Sequence, residues 1–255
     1  MLTALDVFEA TFDRSTIVTT AAIRSRLRAD VMAALNGGPE LSTDCGDRLF
    51  ALGRQLVVEA RSDEACIVLA KAFDAQRRVA GDPVDLAATM TWWARALVMG
   101  GRSGQAREVY AAAAECCREC GGNGPEATVR VEHARLLLDE SDDSATAEAA
   151  RGAEAVRDDP DFLGTYVEAV HLLGVARVRF GDLSGLADLE EALATATAAH
   201  APWIIGDITL SQARCLLSLA RMEDCAIAAA AFDEAGDSDS AIRARELAES
   251  ARSGP

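Results

Sequence analysis

Most residue types that could do chemistry occur here in patterns that do not complete a site. Cys116-Cys117-Arg118-Glu119-Cys120 sets two thiols, Cys116 and Cys120, on one helical face, with His133 near in sequence. A structural zinc site takes two spaced ligand pairs, and no second pair accompanies this one. The cysteines therefore read as small core residues, with metal binding and redox sensing as the alternatives. Glu168-Ala169-Val170-His171 is a single Glu-x-x-His unit, whereas a di-metal bundle draws on two such units plus two further carboxylates. The acids Asp139, Glu140, Asp142 and Asp143 lack the central glycine and twelfth-position glutamate of a calcium loop. They suit the start of a following helix instead. The sequence has no phosphate-cradling loop, dinucleotide fingerprint, nucleophile elbow or zinc-protease helix. These readings predict no cofactor, no metal and no enzymatic activity. Arginine behaves differently, because it recurs in register: Arg54, Arg95, Arg135 and Arg214 each follow a small residue, Gly53, Ala94, Ala134 and Ala213. Guanidinium groups fork onto carboxylates and phosphates, so a row of them points to binding rather than bond-making.

Helices must carry this row. The 255 residues are 50% hydrophobic, with alanine dominant and leucine next, a composition that costs little side-chain entropy in a helix. Strand formers do not gather into alternating runs, and no hairpin dipeptide joins two of them. The formal net charge of −16 repels phosphate backbones and anionic lipid surfaces, which argues against nucleic-acid and membrane partners. No stretch reaches the ~20 apolar residues of a bilayer span, and the start Met1-Leu2-Thr3-Ala4-Leu5-Asp6 does not look like a secretory leader. A cytoplasmic location follows as the expectation, with the odd count of seven cysteines reduced.

An internal period organises the pattern. Gly53, Ala94, Ala134, Gly174 and Ala213 lie 41, 40, 40 and 39 residues apart. A large residue precedes each: Leu52, Trp93, His133, Leu173 and Gln212. Three residues later come Leu56, Leu97, Leu137, Arg177 and Leu216, and seven later the small Ala60, Gly101, Ser141, Gly181 and Ala220. Smallness at the seventh offset predicts a tight turn between two helices. At twelve stand Ala65, Ala106, Thr146, Leu186 and Cys225; at sixteen Leu69, Tyr110, Ala150, Glu190 and Ala229; at nineteen Ala72, Ala113, Ala153, Leu193 and Phe232. The small residue lets a second helix approach, and these later offsets place that helix's apolar residues on one face. Arg177 and Glu190 break the pattern in the fourth unit, whose second helix reads better with Leu186, Leu189 and Leu193 buried. Breakers divide the units at 36–39, 81–83, 121–125, 158–160 and 200–202.

Trp93-Ala94, Leu97, Gly101, Ala106, Tyr110 and Ala113 resemble the signature of the tetratricopeptide repeat, and Leu52-Gly53, Leu56, Ala65 and Ala72 follow it closely. The period near 40 resembles the long-repeat members of that family. The resemblance implies an all-α fold, a right-handed α-solenoid of about five stacked helix-turn-helix repeats over 40–236. Capping helices would occupy 1–36 and 237–255. It further implies that the first helix of each pair lines a concave groove and that the residue after the small one points into it: Arg54, Arg95, Arg135, Val175 and Arg214. His171 and Arg179 extend that positive stripe. Pairing of the ladder with internal acids, among them Asp47, Glu168 and Asp207, is the competing reading. Trp93 is expected in the core, and Trp92 exposed or packed on the preceding repeat.

The expected function is a protein- or peptide-binding scaffold for an anionic or extended segment. The alternatives are a ligand- or peptide-sensing regulator of bacterial type and a non-catalytic enzyme subunit. An acidic small molecule and self-association remain open as further partners.

Overall fold

In a computed structural model, residues 43–78 and 81–217 are described, together with 229–230, 233, 241–246 and 249. Among them every regular element is helical. The α-helices of residues 43–217 are α1 (Thr43–Val58), α2 (Ser62–Arg78), α3 (Pro83–Met99), α4 (Ser103–Glu119), α5 (Asn123–Asp139), α6 (Ser144–Val156), α7 (Leu163–Arg179), α8 (Gly185–Ala198) and α9 (Pro202–Leu217), with a 3₁₀ turn at Pro160–Phe162. The amino-terminal segment expected to cap the array lies outside the described residues, as does most of the second helix of the fifth repeat. Two compact units make up the chain, 1–136 and 137–255, and α5 crosses from one to the other.

Local chemistry explains the helix boundaries. Asp82 caps α3, its carboxylate accepting the Val84 amide at 2.9 Å, and Pro83 opens the first turn, where its missing N–H goes unneeded. At the far ends of α1, α3, α5 and α7 the chain closes by one repeated device. The amides of Arg61, Arg102, Asp142 and Asp182 donate to the carbonyls of Leu56, Leu97, Leu137 and Arg177 at 2.8–2.9 Å. The preceding amides, of Ala60, Gly101, Ser141 and Gly181, donate to Val57, Val98, Leu138 and Val178. This is the Schellman closure, and it needs a left-handed residue; Ala60, Gly101, Ser141 and Gly181 have φ of 58°, 70°, 60° and 91°. The small residues at the seventh offset are therefore the turn residues, as the sequence predicts.

In the first unit α1 packs on α2 and α3 on α4, with α2 against α3. The small residue of each first helix sits at the crossing. A Cβ on Gly53 would lie within 2.5 Å of Leu69 Cδ2, and Leu69 is wholly buried. Ala65, Ala72, Ala106, Tyr110 and Ala113 complete the buried face of α2 and α4 as their spacing requires. Cys117 lies among them, fully buried, and burial pushes its thiol up to about 12. It is held protonated at neutral pH.

In the second unit α7 packs on α6 and α8, and α8 on α9. Gly174 and Gly185 let the backbones of α7 and α8 touch: a Cβ on Gly174 would lie 2.7 Å from the Gly185 carbonyl oxygen. The register of the second helices departs from expectation here. Ala145, Ala149 and Gly185 are buried, whereas Thr146, Ala150 and Leu186, one residue later, are only half-buried. The turns explain the shift. Asp142 and Asp182 accept the amides of Ser144 and Ser184 at 3.0 Å, and the helices open on i→i+3 bonds, Ala145 to Asp142 and Gly185 to Asp182. In the first unit the same position uses i→i+4 bonds, Ala65 to Arg61 and Ala106 to Arg102. A tighter first turn advances the phase of everything after it. Leu189 is buried and Glu190 exposed, as the reading of the fourth repeat from its leucines expects, whereas Leu186 and Leu193 are only half-buried. Leu210 packs with Ala229, Ala241 and Ala244.

Candidate functional site

In the first unit the register arginines meet around an aromatic ring. Trp92 follows Thr91 on the half-exposed side of α3, and Arg95 lies one helical turn after it. The Arg95 guanidinium carbon stands 4.5 Å from the Trp92 ring centroid, and that of Arg54, from α1 of the preceding repeat, stands at the same distance. Arg54 also lies 5.7 Å from the ring of Phe50 on its own helix. Each cation gains from the electron-rich ring face, about 0.5–2 kcal/mol depending on exposure. Glu132 of α5 then takes Arg95 in a two-point fork, 3.0 Å to Nη2 and 3.3 Å to Nε. The result is a chain of contacts, Arg54, Trp92, Arg95 and Glu132, running across the first helices of three successive repeats. Spacing alone sets Glu132 beside Arg135, and its reach to Arg95 comes from the approach of α5 to α3. Thr91, Trp92 and Arg95 of α3 also line a narrow crevice with Pro125, Thr128 and Val129 of α5, apolar on most of its wall.

The remaining residues of the ladder are arranged differently. Arg135 is exposed on α5, and Arg214 is exposed on α9. On α7, His171 is half-buried with Nε2 2.8 Å from Ser211 Oγ, and Arg179 donates through Nη2 to Ser141 Oγ at 2.8 Å. Val175 is half-buried. Of the acids that the competing reading proposes, Asp47 accepts from Gln76 Nε2 at 3.4 Å; Glu168 is half-buried and Asp207 exposed.

Trp93 turns the other way from Trp92, half-buried against Phe73 with ring centroids 6.2 Å apart. Trp92, by contact with Arg54, does pack on the preceding repeat. Two further polar arrangements escaped the sequence reading. His133 is buried and stacked on Tyr110 at 5.9 Å, and burial raises the Tyr110 hydroxyl. Glu126 and Arg130 pair at 2.7 Å within α5, both side chains about nine-tenths buried. An acid four residues before an arginine was the available signal. Among the described residues no three His, Cys, Asp or Glu side chains gather as a metal site, and no helix is long and apolar enough to cross a membrane.

No family model matches the chain, and no curated protein matches it in sequence. Solved structures do match it in fold. The chain is similar to BtubC (BKLC) from P. vanneervenii, with 17% identity and a TM-score of 0.61 over 91% of this chain and 89% of that one. It is similar to the signal transduction ATPase PH0952 from Pyrococcus horikoshii, a protein with a tetratricopeptide repeat sensor, at 15% identity and a TM-score of 0.66 over 82% of this chain and 32% of that one. A Rap protein complexed with competence and sporulation factor matches at 13% identity and a TM-score of 0.58, over 83% of this chain and 64% of that one. Identities this low speak for the fold alone: antiparallel helix pairs that stack like tetratricopeptide repeats.

Proposed function

We propose that this protein is a non-catalytic, cytoplasmic binding scaffold of the long-repeat tetratricopeptide type, which holds a segment of a protein or peptide against its first helices. The observation that carries the reading is the Trp92 ring with two guanidinium groups, of Arg54 and Arg95, each 4.5 Å from its centroid. Tryptophan and arginine are the residue types that dominate binding energy at protein interfaces. Here they are half-buried and already ordered by one another and by Glu132, so less side-chain freedom remains to be lost when a partner docks. Arg54, Arg95 and Arg135 would meet the partner on α1, α3 and α5; in the unit of 137–255, His171, Arg179 and Arg214 would offer contacts of the same kind on α7 and α9. A partner rich in carboxylates or backbone carbonyls suits these donors, and the net negative charge of the rest of the chain would favour a basic flank on it.

The regulatory alternative, a peptide-responsive sensor, draws support from the Rap protein, whose structure is complexed with a competence and sporulation factor. It uses the same surface and differs only in what binding controls.

The test is a peptide-display selection on the full chain, followed by titration of the selected peptides against Trp92→Ala and Arg54→Glu. The expected result is a loss of at least ~10-fold in Kd for both variants, equal to about 1.4 kcal/mol, measured well below each variant's melting temperature with helicity preserved, since the lost ring contacts also lower stability. Peptides that bind both variants as tightly as the parent chain would refute the assignment of this surface.

A further inference from the structure

A second recess, apart from the Trp92 surface, opens within the unit of 137–255. It is a cleft of about 390 Å³ bounded by α6, α7 and α8. Its origin is a want of volume: the register shift places Ala149 where Leu69 and Tyr110 fill the first two repeats and turns Ala150, one residue later, toward the opening. Ala150 and Ala153 form one wall, and Val170 and Leu173 of α7 the floor. This size and an apolar floor are what small-molecule sites offer.

Charged groups stand around the apolar floor, and their hydrogen-bonding capacity is only partly used. Arg157 at the end of α6 donates to Glu154 through Nε at 3.0 Å, which leaves both terminal nitrogens, the end-on fork that fits a carboxylate. On α8, Glu191 accepts the Tyr166 hydroxyl on Oε1, leaving Oε2 as a free acceptor for a cation. Burial and this bond together push the Tyr166 hydroxyl up to about 12, so it remains a donor. Arg177 places Nη1 on both oxygens of Asp188, at 2.7 and 2.8 Å, which neutralises that carboxylate inside the cleft. Arg157 lies within electrostatic range of both Tyr166 and Glu191. The Arg157 fork, at the carboxyl-terminal cap of α6, and Oε2 of Glu191 on α8 thus flank an apolar floor, with Arg151, whose Nη1 donates to Glu148 at 2.7 Å, as a further cation on the lining.

We propose that this cleft binds a small zwitterion with an apolar side chain, an α-amino acid or the end of a very short peptide. Arg157 takes its carboxylate, Glu191 takes its ammonium group, and its side chain rests on Ala150, Val170 and Leu173. A ligand with only one of the two charges leaves one of the flanking groups unanswered. This site is independent of the Trp92 surface, and either reading can fail without the other.

The test is calorimetric titration of the full chain with valine, leucine, methionine, phenylalanine and tryptophan. The N-acetyl and amide forms of the tightest binder follow. Saturable binding is expected, weakened at least ~10-fold when either the ammonium or the carboxylate is capped. Arg157→Gln should weaken the free amino acid and leave its amide form unchanged, and Glu191→Gln should weaken it and leave the N-acetyl form unchanged. Ala150→Trp, which fills the cleft, should abolish binding while circular dichroism stays that of the parent. Arg157 and Glu191 are exposed, so their variants test the site without touching the core. Absence of saturation by all five amino acids up to ~10 mM, indifference to capping, or binding that survives Ala150→Trp would each overturn the proposal.

Discussion

The sharpest test of the helix packing is a single methyl group at residue 53. Gly53→Ala puts a Cβ 2.4 Å from Leu69 Cγ and 2.5 Å from Cδ2, where ordinary contact begins at 3.4 Å, so about 1.0 Å must be found. Leu69 has no exposed surface and no solvent to move into. Forcing a methyl into such packing costs about 1–3 kcal/mol, whereas exchanging glycine for alanine inside a helix returns about 1 kcal/mol. A net destabilisation of up to about 2 kcal/mol is expected. Gly174→Ala is harsher, because the obstacle at 2.7 Å is the Gly185 backbone carbonyl and whole helices must part. Gly104 and Gly164 have nothing within 4 Å of an added methyl and serve as controls; their alanine variants should be stabilised by a few tenths to ~1 kcal/mol. Urea unfolding followed by far-ultraviolet circular dichroism measures all four. Leu69→Ala in the Gly53→Ala background should cost less than the two single changes summed, since the deleted side chain frees the space the methyl needs. A Gly53→Ala protein as stable as the Gly104→Ala control would refute the argument that a small residue at this position brings the helices together.

Two other outcomes follow from the same geometry. Ala60 and Ser141 occupy left-handed backbone at φ 58° and 60°, which costs a side chain about 1–2 kcal/mol. Ala60→Gly should therefore raise the urea midpoint by the equivalent of about 0.5–1 kcal/mol, after the added freedom of the unfolded chain is set against the relief, and Ser141→Gly should gain less because it gives up the Arg179 bond to Ser141 Oγ. The second outcome concerns pH. Cys117 has an ordinary value of 9.0 and is pushed up to about 12 by burial, so the folded chain keeps a proton that the unfolded chain releases. Stability from this group is intact below pH 9 and is lost as pH rises from about 9 toward 12. In Cys117→Ala the decline in melting temperature over that interval should be shallower, and an unchanged slope would show that the thiol is not buried as described.

Much of the fold was legible from five short offsets. Small, large and turn-forming residues are each dictated by sterics that act within one helix pair, so Gly53, Leu56 and Ala60 announce their roles. The register of α6 and α8 was not legible, because it depends on how Asp142 and Asp182 wind the first turn. Counting residues from Ala134 or Gly174 assumes uniform winding. The candidate site was half legible. The repeated arginines stood out, but Trp92 against Arg54, and Glu132 forking Arg95, are contacts between repeats. Their partners lie 37–38 residues away for Glu132 to Arg95 and Trp92 to Arg54, a separation no helical period suggests. The cleft over Ala150 was hidden for a further reason: in sequence a missing side chain resembles any other alanine.

The hairpin closures carry a consequence for how such a chain comes to exist. Every one of those backbone bonds spans five residues or fewer, from Leu56 to Arg61 and at the matching places in the later repeats. Each bend is thus specified without help from distant sequence. Structure can nucleate at any bend and spread outward, with little loop entropy to overcome. A gene built of such segments can gain or lose one by duplication or deletion, and the neighbours keep their own bends.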